Sequence, residues 1–240
     1  MFSNSYIIRF VLVMCVIVAV VLAFMSSGLS EIHGKNEAVF NKRAILTSIK
    51  AFLPKPLESM SDTEVEALFK SSIQQKVVKL DGSEVSGVEA EKVDMAKEKK
   101  KPESERNLPL FIYKADDGKS YYILAVRGSG LWDEIWANIA LQDDFNTIAG
   151  TSFDHKGETP GLGAEIKDNP AFPAQFIGKK LLDESGNFVS INVVKGGVSD
   201  EMHDIDVISG ATITCNGVQE MLKRGLGYYQ NYLTKLKTAG

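Results

Sequence analysis

The residues from Phe10 to Met25, FVLVMCVIVAVVLAFM, form an uncharged apolar run that YIIR extends toward the N-terminus. Counted from Tyr6 to Gly28, with Arg9 near one end and able to snorkel, it supplies about the 20 residues a helix needs to cross a bilayer. The chain is therefore expected to divide into a short N-terminus at 1–5, a transmembrane helix at 6–28 and a large remainder. A cleaved signal peptide is the competing reading, but it has a shorter apolar core and a more basic leader, and MSSGLSE makes a mediocre cleavage site. Arg9 precedes the span whereas Lys35, Lys42 and Arg43 come after it. That asymmetry leaves the side open, because long domains translocate largely regardless of charge.

The chain as a whole is acidic rather than basic. A formal net charge of −4 over 240 residues leaves no surplus of cations to neutralise phosphates, which excludes a general nucleic-acid binder. The cysteines are Cys15, inside the apolar run, and Cys215, a pair that suggests neither a disulfide framework nor a zinc site. His155 and His203 read as solvated or simply hydrogen-bonded histidines, and no metal site is expected.

Segment 29–106 reads as a membrane-proximal helical or α+β region with a charged linker. NEAVFNKRAILTSIKAFL places Val39, Ala44, Ile45, Ile49 and Phe52 on one helical face, and Pro54 and Pro56 stop it. SDTEVEALFKSSI opens with a capping-box pattern, Ser61 followed three residues later by Glu64. QKVVKLDG reads as a strand closed by a turn at Asp81-Gly82. Glu89 to Arg106, dense in charges of both signs, reads as a solvated helix or connecting loop.

Segment 107–240 reads as a mixed α/β domain, so the whole is classed α+β behind one span. Leu110–Lys114 and Ser120–Val126 flank Asp116-Asp117-Gly118 as a hairpin. In GSGLWDEIWANIALQDD, Leu131, Trp132, Ile135 and Trp136 cluster as a helical or turn face of the kind usually packed into a core. FNTIAGTSFDH reads as a strand; AQFIGKKLL, FVSINVVKG and DIDVIS read as short strands or turns. From Thr214 onward, Val218, Met221, Leu222, Leu226, Tyr229 and Leu233 mark a long terminal helix.

The run Ser209-Gly210-Ala211-Thr212, inside DIDVISGATITCNG, carries hydroxyls at a strand-to-helix junction beside small neighbours. Such a hydroxyl can cap the helix, and Ser209, Thr212 and Thr214 could each do so. Nucleophilic catalysis needs a base, yet the run has no histidine and no G-x-S-x-G elbow. A third use is to carry a phosphate, since free N–H groups and the helix dipole favour an anion there.

Asp206-x-x-Ser209-Gly210-Ala211-Thr212 resembles the flavinylation motif whose last threonine holds FMN through a phosphoester. Glu158-Thr159-Pro160-Gly161-Leu162-Gly163, preceded by His155, and Gly130-Leu131-Trp132 complete a likeness that runs through most of the chain. Together they resemble the FMN-binding domain of the C subunit of the sodium-translocating NADH:quinone reductase, with the G subunit of the Rnf complex as a related alternative. Ser30 to Pro109 and LPLFIYKADDG look more like the sodium-pump protein. A cofactor-free anchored binding module is the reading from another class.

The resemblance implies that Thr212 accepts covalent FMN from a magnesium-dependent flavin transferase that uses FAD. Asp206, Ser209, Gly210 and Ala211 would form the recognition motif, and Thr214 or Asn216 would complete the helix N-terminus. Glu158, Thr159, Gly161, Leu162 and Gly163 would form the other cofactor wall, with Leu162 on the isoalloxazine, and Lys195 near the flavin or its phosphate. No catalytic residue is expected, and without a G-x-G-x-x-G fingerprint after a strand the NADH step belongs to another subunit. The resemblance further implies other subunits of a membrane redox complex as partners, a bacterial inner-membrane location and a periplasmic domain.

Overall fold

Residues 3–239 are described in a computed structural model of the chain; of the expected N-terminal segment 1–5, residues 1 and 2 lie outside the described residues. Helix α1 runs unbroken over Asn4–Thr47. The helix continues past the apolar run: Gly28 and Gly34 lie inside it, where an isolated glycine costs about 1 kcal/mol without breaking it. Proline, which would break it, first occurs at Pro54. Among the described residues α1 is the one helix long and apolar enough to cross a membrane. By its contacts the chain forms two units, one ending at Asn41 and one beginning at Lys42.

Beyond the end of α1 comes α2, Asp62–Ser72, whose Ser61–Glu64 capping box forms as the sequence predicts. Five antiparallel strands come next in the order β1-β2-β3-β4-β5: β1 Ile73–Val78, β2 Leu108–Lys114, β3 Ser120–Ser129, β4 Glu134–Leu141 and β5 Ile148–His155. The β2–β3 hairpin turns at Gly118, whose φ of 84° suits glycine. Between β1 and β2 the charged segment carries a short helix, α3 (Met95–Glu98), and is not wholly solvated. Glu98 is buried and accepts the Asn107 N–H at 2.9 Å.

GSGLWDEIWANIALQDD is not a helical face. Leu131–Ile135 and Trp132–Trp136 repeat at a spacing of four, which mimics a helix, but Ile135, Ala137, Ile139 and Leu141 enter one core at a spacing of two, on a strand, β4. After β5 come the short helices α4 (Glu165–Asp168) and α5 (Ala171–Ala174), then a parallel pair, β6 (Asn192–Val194) with β7 (Asp204–Asp206). The terminal helix is two: α6, Thr212–Gly227, and α7, Gln230–Ala239.

Helix α6 lies on β3 with little between the backbones. A β-carbon at Gly128 would sit 2.6 Å from Met221 Cβ, and one at Gly225 would sit 2.8 Å from Val126 Cγ1. Val218, Met221, Leu222 and Leu226 share a core with Leu124, Val126, Ile135 and Ile139. Phe69 of α2 meets Phe111 of β2, on the opposite face from Leu110, with ring centroids 5.8 Å apart. Buried on both faces, β2 is apolar nearly throughout rather than alternating. The buried Tyr229 hydroxyl lies 2.9 Å from the carbonyls of Pro109 and Ala125, fixing the α6–α7 corner to β2 and β3.

The small β6–β7 sheet brings the start of α6 to the edge of this core. Its backbone is tied on both sides by glutamines. Gln175 Oε1 accepts the Asp206 N–H at 2.8 Å and its Nε2 donates to the Asp206 carbonyl at 3.4 Å; Gln219 Oε1 of α6 accepts the Val193 N–H at 2.7 Å.

Candidate functional site

Glu158 is the residue around which the three sequence segments meet. It is only 4 % exposed, just beyond β5. Its Oε1 accepts the Trp132 N–H at 3.0 Å, and its Oε2 accepts the Thr214 hydroxyl at 2.7 Å. One carboxylate thereby joins Gly130-Leu131-Trp132, its own loop and the first turn of α6. Two glycines make room for it. A β-carbon at Gly130 would overlap Oε1, and one at Gly163 would overlap Oε2 while approaching Thr214 Oγ1 to 2.6 Å. Burial by itself would raise the Glu158 pKa. Hydrogen bonds from Thr214 and from the N–H groups of Trp132, Asp133 and Leu131 outweigh it and hold the carboxyl below the ordinary glutamate value.

Above this anchor the segments present apolar side chains to solvent. Trp132 is 70 % exposed, so the core position expected for it is not the one it takes. Its indole N–H donates to Thr159 Oγ1 at 3.0 Å, just before the Pro160-Gly161 turn, where Gly161 has φ 75°. Leu162, 42 % exposed, reaches toward the other segment: its Cδ2 would lie 2.7 Å from a β-carbon at Gly210. Leu131, Trp132, Leu162 and Ile213 are four of the eight exposed large apolar side chains outside α1 among the described residues. Lone exposed hydrophobics are ordinary, whereas a group confined to three converging segments marks a binding surface.

The Asp206–Thr212 segment exposes Asp206, Ser209, Gly210 and Thr212 and buries Ala211. Gly210 takes φ 79°, the Ala211 N–H donates to the Ile208 carbonyl at 3.0 Å, and the Ile208 N–H donates to Cys215 Sγ at 3.4 Å. Gln175 and Cys215 thus hold this loop. The Gln175 role is not legible in the sequence, since a pairing across 31 residues leaves no periodic trace. Helix α6 begins at Thr212 rather than at Thr214. Ala211 occupies the N-cap position and no side chain caps the helix. The capping role expected of Thr214 is not observed, because its hydroxyl is committed to Glu158; Asn216 is exposed within the first turn. The N–H groups of Thr212, Ile213 and Thr214 precede the first intrahelical bond, Cys215 N–H to the Ala211 carbonyl at 2.9 Å. Lys195 comes directly after β6. The Val207 N–H donates to the Val194 carbonyl at 3.0 Å, so the exposed Lys195 flanks the chain leading to Ser209. The Glu158 N–H meets His155 Nδ1 at 3.2 Å, and among the described residues no group of three or more metal-binding side chains occurs.

An uncapped helix start, an exposed hydroxyl at its first residue and exposed apolar side chains on the converging segments make a site that suits a group with an anionic end and a flat apolar body. The family model described as "FMN-binding domain" matches residues 130–227, an interval that opens at Gly130 and holds all three segments. The chain is 34% identical over 258 aligned residues to the C subunit of the Na(+)-translocating NADH-quinone reductase from Neisseria meningitidis serogroup A, covering 100% of this chain and 96% of that one. The crystal structure of the same C subunit from Parabacteroides distasonis superposes with TM-score 0.75 at 38% identity, over 86% of this chain and 97% of that one. Shewanella oneidensis NqrC gives TM-score 0.73 at 28% identity, over 85% and 99%. The chain belongs to the family of C subunits of the Na(+)-translocating NADH-quinone reductases.

Proposed function

We propose that the chain is a membrane-anchored electron carrier within a sodium-pumping NADH:quinone reductase, holding one FMN on Thr212 through a phosphoester. The carrying observation is Thr212 itself, exposed at the first position of an uncapped sixteen-residue helix, two residues beyond Gly210, which Leu162 of another segment approaches. The residues suit the group. The N–H groups of Thr212, Ile213 and Thr214 and the positive end of α6 suit a phosphate, and Lys195 adds a cation alongside. Trp132, Leu162 and Ile213 suit a flat aromatic ring, and Thr159 suits its polar edge. FMN, when bound, supplies the one-electron chemistry; the chain orients it, shields it and sets the surrounding charge.

In this reading Asp206, Ser209, Gly210 and Ala211 are read by a flavin transferase, and Glu158 and Gly163 support the cofactor wall from beneath rather than touching the ring. Gly161 and Thr159 shape the wall directly. Helix α1 anchors the chain in the inner membrane with the large unit on the periplasmic side, beside the other subunits of the complex.

Thr212→Ala, co-expressed with the transferase, should abolish covalent flavin in the denatured chain, whereas Thr214→Ala should retain it. The fold should survive in Thr212→Ala, since an exposed side chain outside any cap is worth within about 0.5 kcal/mol. In-gel fluorescence from the denatured Thr212→Ala chain would move the attachment to Ser209 or Thr214.

A further inference from the structure

We propose that the Glu158 carboxylate is a fixed negative charge built beneath the flavin site that lowers the midpoint potential of the bound cofactor. This rests on Thr212 carrying the flavin. Three observations support the role. Glu158 is buried within one helical turn of the attachment residue, since the hydroxyl that binds it belongs to Thr214, two positions beyond Thr212. Its partners are a hydroxyl and backbone amides, all neutral, so the charge is stabilised but not cancelled. The space around it is close-packed: a β-carbon at Gly130 or at Gly163 would run into the carboxylate oxygens.

A purely structural junction would not need a charge. An amide at this position could accept from Trp132 through its oxygen and donate from its nitrogen to the Thr214 hydroxyl, which can also accept. The carboxylate is acceptor-only, and a buried anion acts over several ångströms because little solvent screens it. Each electron that passes from an external reductant to the ring adds negative charge there unless a proton accompanies it. A nearby buried anion opposes that step and makes the bound flavin harder to reduce. The Thr214 hydroxyl works against it, since its dipole turns its positive end toward the carboxylate and weakens the field that reaches the ring.

Glu158 and Thr214 therefore tune in opposite directions, although they share one hydrogen bond. Flavinylated full-length wild type, Glu158→Gln and Thr214→Val would be compared by spectroelectrochemical titration in detergent, with dithionite as reductant. Glu158→Gln should shift the flavin potentials positive, and Thr214→Val should shift them negative. Glu158→Asp, which keeps the charge, should stay on the wild-type side of Glu158→Gln. A loosened site would move Glu158→Gln and Thr214→Val the same way, and that result would overturn the proposal, as would unchanged potentials in a folded, flavinylated Glu158→Gln. Should Glu158→Gln fail to fold, a negative shift in Thr214→Val supports the proposal and a positive or absent one overturns it. Lack of in-gel flavin fluorescence in wild type made with its transferase would instead defeat the attachment reading and leave no potential to measure.

Discussion

The Thr214 hydroxyl donates to Glu158 Oε2 at 2.7 Å across 56 residues of chain, with both side chains buried. This bond joins the first turn of α6 to the loop after β5. Thr214→Val keeps the shape and removes the donor, leaving the carboxylate with its backbone partners alone. Loss of a hydrogen bond to a buried charge costs about 1.5–3 kcal/mol. Urea denaturation of the apo protein should show that loss, with covalent flavin still added at Thr212.

The enclosure of Glu158 makes one glycine intolerant and leaves a neighbour free. A β-carbon at Gly163 would overlap the carboxylate, whereas one at Gly157 would meet nothing within 4 Å. Gly163→Ala should destabilise by about 1–3 kcal/mol, the usual cost of overpacking. Gly157→Ala should be neutral within about 0.5 kcal/mol. Equal denaturation midpoints for the two variants would contradict this geometry.

Leu162 touches the Gly210 side of the site while remaining half open to solvent. Leu162→Ala should leave the attachment to Thr212 intact but alter the visible absorbance of the flavin, because the ring loses a packing surface and the phosphoester does not. An unchanged spectrum would place the ring elsewhere.

His203, just before β7, is bonded on both ring nitrogens, to Asp200 Oδ2 at 2.8 Å and the Leu182 carbonyl at 3.2 Å. Burial would lower its pKa, but the Asp200 and Leu182 bonds outweigh it and raise the value above 6.5. A raised folded-state pKa stabilises the fold fully below the unfolded value and loses that contribution as pH rises through the folded one. NMR titration should place His203 above 6.5, and Asp200→Asn should bring it down. A wild-type value at or below 6.5 would refute the pairing.

Carbonate extraction tests α1. The full chain should stay in the membrane fraction, and a chain starting near Ser30 should be released. A mature N-terminus mapped near Gly28 would mean a cleaved leader.

The parts legible in the sequence were those coded locally. The capping box at Ser61, the turn at Gly118 and the apolar run before Gly28 each declare themselves within a few residues, and each appears where expected. The three site segments were legible as motifs, but not the way they interlock. Glu158 meets Trp132 and Thr214 across 26 and 56 residues, and such pairings carry no period. Trp132 misleads for a related reason: a tryptophan spaced four from another suggests a core face, and only the folded chain shows it pinned to Thr159 at the surface. The division of the terminal helix at Tyr228 and Tyr229 was equally hidden, because the apolar spacing continues through it while Tyr229 turns inward to Pro109.

The glutamines on the β6–β7 pair decide how another protein can approach residues 204–212. An open strand edge invites a foreign strand to add on, reading backbone rather than identity. Gln175 occupies the backbone groups of Asp206, and Gln219 takes the Val193 N–H on the far side. Strand addition is closed off at both places. A partner that recognises this segment meets side chains instead, the Asp206 carboxylate and the hydroxyls of Ser209 and Thr212. Its selectivity then depends on which residues stand there, not on the presence of a free edge.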